Sequence, residues 1–96
     1  MSEKVNHPKH YTKSGKKECI VEMQEKYGTA NTAIFCLMSA YKYLYRAGEK
    51  EGEAYDEDIA KAKWYLQYVD DLNAPIVDMY YWQLKQDVER KIKCLK

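Results

Sequence analysis

Apolar and polar positions recur along most of the chain with the three- and four-residue spacing of helices that bury one face. The clearest case is the stretch from Ile34 to Gly48. Its first face carries the positions that we expect in the core: Ile34, Leu37, Met38, Tyr41 and Leu44. Its second face carries aromatic, hydroxyl and cationic groups: Phe35, Ser39, Lys42 and Arg46. We therefore predict a helix from about Ala30 to Ala47, stopped by Gly48, in which one face packs and the other is available for chemistry.

Three other segments show the same spacing. We expect a first helix from Lys16 to Tyr27, a third from Asp56 to Asn73, and a fourth that has Pro75 in its first turn. The third helix has an apolar stripe formed by Ile59, Ala62, Leu66 and Val69. The fourth has a seam that approximates a heptad: Val77, Tyr81, Leu84, Val88, Lys91, Ile92 and Leu95. Such a seam either closes the bundle or pairs with another subunit.

The sequence predicts an all-α protein, a small bundle of about four helices in one domain of 96 residues. It contains no alternating β-branched run and no internal repeat. Residues 1–15 hold both histidines and have no apolar period, so we expect an irregular segment that contacts a ligand. Residues 16–73 would form a three-helix core, and residues 75–96 a C-terminal helix that serves oligomerisation if its seam is not covered within the chain.

Charge and cysteine content narrow the class of protein. Lysine and arginine total 16 and aspartate and glutamate 15, so the overall field gives no reason to expect duplex nucleic acid or a membrane surface as partner. The three cysteines have no CxxC spacing, which is typical of a reducing compartment. No signal-peptide pattern or membrane-length apolar run occurs, and no P-loop motif. We expect a soluble cytoplasmic protein whose anion site, if present, is local.

Lys42 and Arg46 are the strongest candidates for binding an anion. They lie one helical turn apart, and an arginine fork beside a lysine can hold neighbouring phosphate oxygens. The alternative interpretation is a pair of solvated surface cations. His7 and His10 have a metal-compatible spacing but no third ligand at a recognisable distance. We expect these histidines to hydrogen-bond a phosphate or a base, or to transfer a proton near neutral pH, unless they are a surface or capping pair.

Acidic residues on two predicted helices suggest a second type of site. Glu18 and Glu22 lie one turn apart on the first helix, and Glu57 and Asp58 open the third. Together these carboxylates could hold Mg²⁺ with the phosphates of a nucleotide. The alternative is ordinary helix-surface charge, which we favour for Glu22 and Glu57.

Several short motifs, taken in order, resemble those of a family of small tailed-bacteriophage proteins. They are Asn6-His7-Pro8-x-His10-Tyr11, Gly15, Glu18-Cys19-Ile20, Phe35-Cys36-Leu37, Lys42 to Gly48 with Lys50, and Asp58-Ile59-x-Lys61-Ala62-x-Trp64-Tyr65-Leu66. That family was long of unknown function and is often described as a phage nucleotide kinase without a P-loop. The resemblance covers about residues 6–68 and leaves the fourth helix outside.

The resemblance implies a nucleotide-handling protein of an infected bacterial host cell, and it supplies the site candidates without naming a catalytic residue. Those implied to bind the nucleotide or its phosphate are His7, His10, Tyr11, Lys42, Arg46 and Lys61. Those implied to orient the basic groups or to hold Mg²⁺ are Glu18 and Asp58. This chain has Ser39 where the family usually has Asn, and Val21 where it often has Asp. The second departure weakens metal-assisted catalysis more than binding.

Three functions are consistent with these expectations. The first is a nucleotide-binding protein that phosphorylates nucleoside monophosphates. The second is a non-catalytic protein that sequesters a nucleotide signal, for example one made by a host antiphage system. The third is a MazG-like, Mg²⁺-dependent nucleotide pyrophosphohydrolase, for which the carboxylate cluster is incomplete because the second helix contributes none. In so small a chain, sites for both a phosphoryl donor and an acceptor would require a subunit interface, so we expect a homo-oligomer.

Overall fold

The described part of the chain is helical, as the sequence predicts. The computed structural model describes residues 18–47, 49, 55–73 and 75–95. These form four helices, α1 (Cys19–Tyr27), α2 (Thr29–Tyr45), α3 (Tyr55–Leu72) and α4 (Met79–Lys93). The described residues include no strand, and the all-α prediction is confirmed for them. The predictions made for residues 1–15 and for Gly48 lie outside the described residues.

The helix boundaries follow local backbone chemistry. Gly28 separates α1 from α2 with a φ of 97°, a value that glycine adopts without strain. Asn73 follows α3 with a φ of 47°, the left-handed conformation in which Asn is the usual alternative to Gly. The prediction that Pro75 lies in the first turn of α4 is wrong. Asp78 caps that helix instead, since its Oδ1 accepts hydrogen bonds from the backbone N–H groups of Tyr80 at 2.8 Å and Tyr81 at 3.1 Å.

Helix α2 is the centre of the bundle, because it packs against each of the other three helices. Its fully buried side chains are mostly small: Ala33, Cys36, Leu37 and Ala40. Small side chains let neighbouring helix axes approach closely. The predicted core face is therefore wrong at two positions, since Met38 is 56% exposed and Tyr41 is 38% exposed. Ile34 and Leu44 pack only partly against the core.

The apolar stripes of α3 and α4 largely lie where the sequence places them. Ile59, Ala62 and Val69 are buried, and Leu66 packs partly against the core. On α4 the seam residues Tyr81 and Val88 are buried, and α4 packs against α2. The prediction is wrong at Val77, which lies before α4 and is 99% exposed. Part of the seam therefore closes the bundle, and the oligomerisation role of residues 75–96 stays a prediction. None of the helices in the described ranges combines the length and the apolarity needed to span a bilayer.

Candidate functional site

Three cationic side chains converge on the ring of Tyr43. The Nζ of Lys42 lies 5.0 Å from the ring centroid, the Cζ of Arg46 also 5.0 Å, and the Nζ of Lys61 5.4 Å. Lys42 belongs to the last turn of α2, Arg46 caps the same helix, and Lys61 comes from α3. Packing of α2 on α3 thus brings together three residues that the sequence nominated for phosphate binding.

A stack of aromatic rings holds Tyr43 in place. Its ring lies parallel to that of Tyr65 on α3, with a centroid distance of 6.1 Å and an interplanar angle of 15°. Tyr65 also meets the ring of Trp64 edge-on at 5.2 Å. Burial raises the pKa of Tyr65, and the nearby Tyr43 and Cys36 add to the rise, while a hydrogen bond with Ser39 acts in the opposite direction. The Tyr65 hydroxyl is therefore neutral near pH 7, and the stack adds no negative charge beside the cations.

The three cations form a region of concentrated positive charge. Lys42 is exposed, and Arg46 and Lys61 are half-buried. Neither lysine forms an ion pair with a carboxylate of the described residues. Because each charge lies within 5.4 Å of the ring centroid, any two of them are at most about 11 Å apart. This separation is close to the Debye length at physiological salt, so the charges still repel one another. An anion placed among them would relieve this repulsion, and each cation could donate hydrogen bonds to it.

Asp58 is a buried carboxyl in the first turn of α3. Its side chain has no exposed surface, and neither carboxyl oxygen has a hydrogen-bond partner within the described ranges. The positive end of the α3 dipole offsets part of the cost of burying it. Lys61 follows one turn later on the same helix, which places Asp58 near the cationic end of the α2–α3 packing surface.

Glu18 lies at the N-cap position of α1. Burial raises the pKa of Tyr68, and Cys36 and Glu18 add to that rise. Tyr68 follows Asp58 by ten residues, which corresponds to about 15 Å along a helix axis. The Tyr68 hydroxyl also donates a hydrogen bond of 3.0 Å to Oε1 of Gln24. Glu18 is therefore close enough to the Tyr68 hydroxyl to affect its pKa.

Metal binding was a separate expectation. In the ranges that the structure describes, no three His, Cys, Asp or Glu side chains are grouped closely enough to hold a metal ion. The Mg²⁺ site therefore stays a prediction.

His7, His10 and Tyr11 lie outside the described residues, so their predicted roles stay predictions. Sequence reasoning also left out the two residues that organise the cations, Tyr43 and Tyr65. Tyr43 stands between Lys42 and Arg46 in the sequence, which was the available signal. It was missed because an aromatic residue at that position fits an apolar helix face equally well.

Comparison with known proteins identifies a family, but the description of that family names no function. No curated protein and no solved structure matches the chain. A family model described as a protein of unknown function, DUF3310, matches residues 5–67. The matched region contains α1, α2, most of α3 and all three cations around Tyr43, and it leaves α4 outside, as the motif pattern predicted. Since the match covers more than half of the chain, this protein belongs to the DUF3310 family.

Proposed function

We propose that this protein binds a nucleotide and that Lys42, Arg46 and Lys61 hold its phosphate groups. The observation that carries the proposal is the convergence of these three cations on one tyrosine ring, at 5.0 to 5.4 Å from its centroid. A phosphate or polyphosphate is the common biological anion with enough charge and enough oxygen acceptors to engage three cations at once.

The two kinds of cation would contribute differently. The guanidinium of Arg46 presents a planar fork of N–H donors that matches two phosphate oxygens, whereas each lysine acts as a compact point charge with rotatable donors. Arg46 is half-buried at the end of α2, and its fork is therefore better ordered than an exposed side chain. Lys42 and Lys61, which approach from different helices, would then close on the remaining oxygens.

The resemblance to phage proteins described as nucleotide kinases supports the choice of a nucleotide over a simple anion, and it extends the proposal to a phage protein. Within the proposal, binding is the primary function. Phosphorylation of a nucleoside monophosphate, sequestration of an intact nucleotide signal and hydrolysis to release pyrophosphate differ in what happens to the bound molecule. Chromatography of each incubated mixture separates them, because only sequestration returns the ligand unchanged.

The test is a binding screen followed by a charge-matched pair of variants. Purified protein is titrated by calorimetry with nucleoside mono-, di- and triphosphates and with cyclic and ADP-ribose-type nucleotides, with and without Mg²⁺. The ligand that binds best is then titrated into Lys61→Gln and Lys63→Gln. Both variants remove one positive charge from α3, but Lys63 is exposed and does not face Tyr43.

Lys61→Gln is expected to weaken binding by a factor of about 10 to 150, since a charge-assisted hydrogen bond contributes about 1.5–3 kcal/mol. Lys63→Gln should leave the affinity within about threefold, because it changes only the long-range field. Circular dichroism confirms that both variants fold. Equal losses in the two variants would show a diffuse charge effect and would refute the site, as would the absence of binding by any phosphate-bearing ligand.

A further inference from the structure

Phe35 is an aromatic residue on the same line of α2 as Lys42 and Arg46. It precedes these residues by seven and eleven positions, which are close to two and three full turns of a helix. Its side chain is 39% exposed although it is large and apolar. The core face of α2 lies on the opposite side, where Ala33 and Ala40 are buried. Phe35 is therefore a surface aromatic residue in line with the cations.

The ring of Phe35 contacts the ring of Tyr65 on α3. It meets Tyr65 at a centroid distance of 6.0 Å and an interplanar angle of 86°, an edge-to-face contact. In such a pair each ring covers at most one face of the other. At least one face of Phe35 is consequently not covered by Tyr65. The contact also fixes the ring, since Tyr65 is itself stacked on Tyr43.

Ser39 is the small residue between the aromatic ring and the cations. It follows Phe35 by one turn on the same side of α2, and its hydroxyl is engaged by Tyr65. Ser39 is partly exposed and places a short polar side chain between Phe35 and Lys42. The stripe thus runs from the aromatic ring of Phe35 past the short polar side chain of Ser39 to the three cations.

We propose that Phe35 stacks the base of the bound nucleotide, and that the site takes nucleoside di- or triphosphates in preference to monophosphates. This inference rests on the phosphate site proposed above. The occupant is defined by complementarity along the stripe: a flat ring on Phe35, a sugar over Ser39, and terminal phosphates among Lys42, Arg46 and Lys61.

The length of the stripe selects the number of phosphates. Along the helix axis the Cα of Phe35 is about 10 Å from that of Lys42 and about 16 Å from that of Arg46 at 1.5 Å per residue. The charged ends of both side chains lie 5.0 Å from the ring centroid of Tyr43. Six covalent bonds join the base nitrogen to the first phosphorus, and an extended chain advances about 1.3 Å per bond, so this phosphorus reaches about 8 Å. Each further phosphate adds two bonds, which brings the second to about 10 Å and the third to about 13 Å. A monophosphate therefore ends before the Cα of Lys42, whereas the second and third phosphates reach or pass it and bring more oxygens to the three cations.

The experiment uses calorimetric titration of the full chain and separates the base from the phosphates. Wild-type protein, Phe35→Leu and Phe35→Tyr are titrated with ATP and with tripolyphosphate, which has the phosphates but no base. Met38→Leu serves as the matched control, since Met38 is an exposed apolar residue one turn from Phe35. The wild type is also titrated with AMP and ADP.

Phe35→Leu is expected to weaken ATP binding by about 5- to 150-fold, which corresponds to about 1–3 kcal/mol for stacking one base, and to leave tripolyphosphate binding unchanged. Phe35→Tyr and Met38→Leu should bind ATP like the wild type. AMP should bind at least tenfold more weakly than ATP. The comparison of AMP, ADP and ATP affinities uses only the wild type. It therefore tests the length argument even if Phe35→Leu folds poorly.

Failure of this inference is distinct from failure of the phosphate site. If tripolyphosphate binds the wild type as tightly as ATP, or if Phe35→Leu folds and binds ATP normally, the stacking role is refuted while the cation site stands. If AMP binds as tightly as ATP, the length argument is refuted. If neither ATP nor tripolyphosphate binds, the phosphate site itself is wrong.

Discussion

Replacing Asp58 with alanine is expected to make the protein more stable. The carboxyl of Asp58 is fully buried in the first turn of α3, and neither of its oxygens has a hydrogen-bond partner in the described part of the chain. A buried polar group without a partner lowers stability, because it has given up its hydrogen bonds to water without replacement. Alanine removes that group and is also the best helix former.

The expected gain is modest, because opposing effects nearly balance. Removing an unsatisfied buried group contributes about 1–3 kcal/mol, and the better helix propensity about 0.5 kcal/mol. Against this, the variant loses a favourable interaction of about 0.3–1 kcal/mol with the helix dipole. It also leaves a small cavity, which costs less than about 1 kcal/mol at roughly 24 cal/mol per Å³. The net free energy of unfolding should rise by about 1 kcal/mol, which raises Tm by about 4–8 °C in a domain of this size.

The assay is thermal unfolding of Asp58→Ala beside Asp56→Ala, followed by calorimetry with the best nucleotide ligand. Asp56 lies in the same first turn but is exposed. Its replacement therefore changes the dipole interaction and the helix propensity without removing a buried carboxyl. Asp56→Ala should melt close to the wild type. A Tm for Asp58→Ala several degrees below that of Asp56→Ala would refute the reasoning, since it would mean that Asp58 makes stabilising contacts. A stabler Asp58→Ala that binds nucleotide more weakly would show that the buried carboxyl costs stability in return for function.

Two further predictions concern the scaffold. Asp78→Ala should lower the free energy of unfolding by about 0.5–2 kcal/mol in urea titrations, because it removes the acceptor for two N–H groups of α4. Asp78→Asn should retain most of the stability, since its side-chain oxygen can still accept these hydrogen bonds. Equal losses in both variants would contradict the cap. Burial raises the pKa of the Cys36 thiol from 9.0 to about 12, so the folded state holds this proton to higher pH than the unfolded state. The contribution of the protonated Cys36 thiol to the free energy of unfolding is complete below pH 9. It is lost as pH rises from 9 to 12, at up to about 1.4 kcal/mol per pH unit. Thermal melts of Cys36→Ala should therefore show a shallower alkaline fall than the wild type above pH 9, and parallel curves would contradict it.

The sequence was sufficient for the number and approximate ends of the helices, but it gave the wrong orientation to part of α2. Apolar residues occur almost all the way around this helix, so more than one face satisfies the three- and four-residue spacing. Large side chains such as Met38 and Tyr41 were assigned to the core, whereas the structure buries Ala33 and Ala40 instead. A central helix that packs on three neighbours needs small residues at the closest approaches, and this requirement depends on tertiary structure that the spacing alone does not contain.

The candidate site shows the same division between local and tertiary information. Lys42 and Arg46 could be paired from the sequence, since they lie one turn apart on one helix. Lys61 was nominated only through the resemblance to a family, because its position beside Tyr43 depends on how α3 packs on α2. The role of Tyr43 required all of these contacts together, and no pattern within a single helix predicts it.

An aromatic ring between three cations has a different electrostatic effect from a carboxylate in the same place. A carboxylate beside Lys42, Arg46 and Lys61 would hold them by neutralising part of their charge, and it would compete with any anionic ligand. The ring of Tyr43 attracts each cation by about 0.5–2 kcal/mol through its quadrupole and leaves the net charge of the group unchanged. At the largest separation that the ring distances allow, about 11 Å, two unit charges repel by about 1.5 kcal/mol at an effective dielectric of 20, which is comparable with the attraction of one cation to the ring. The ring thus attracts the cations without cancelling their charge, which favours an incoming phosphate that can contact all three.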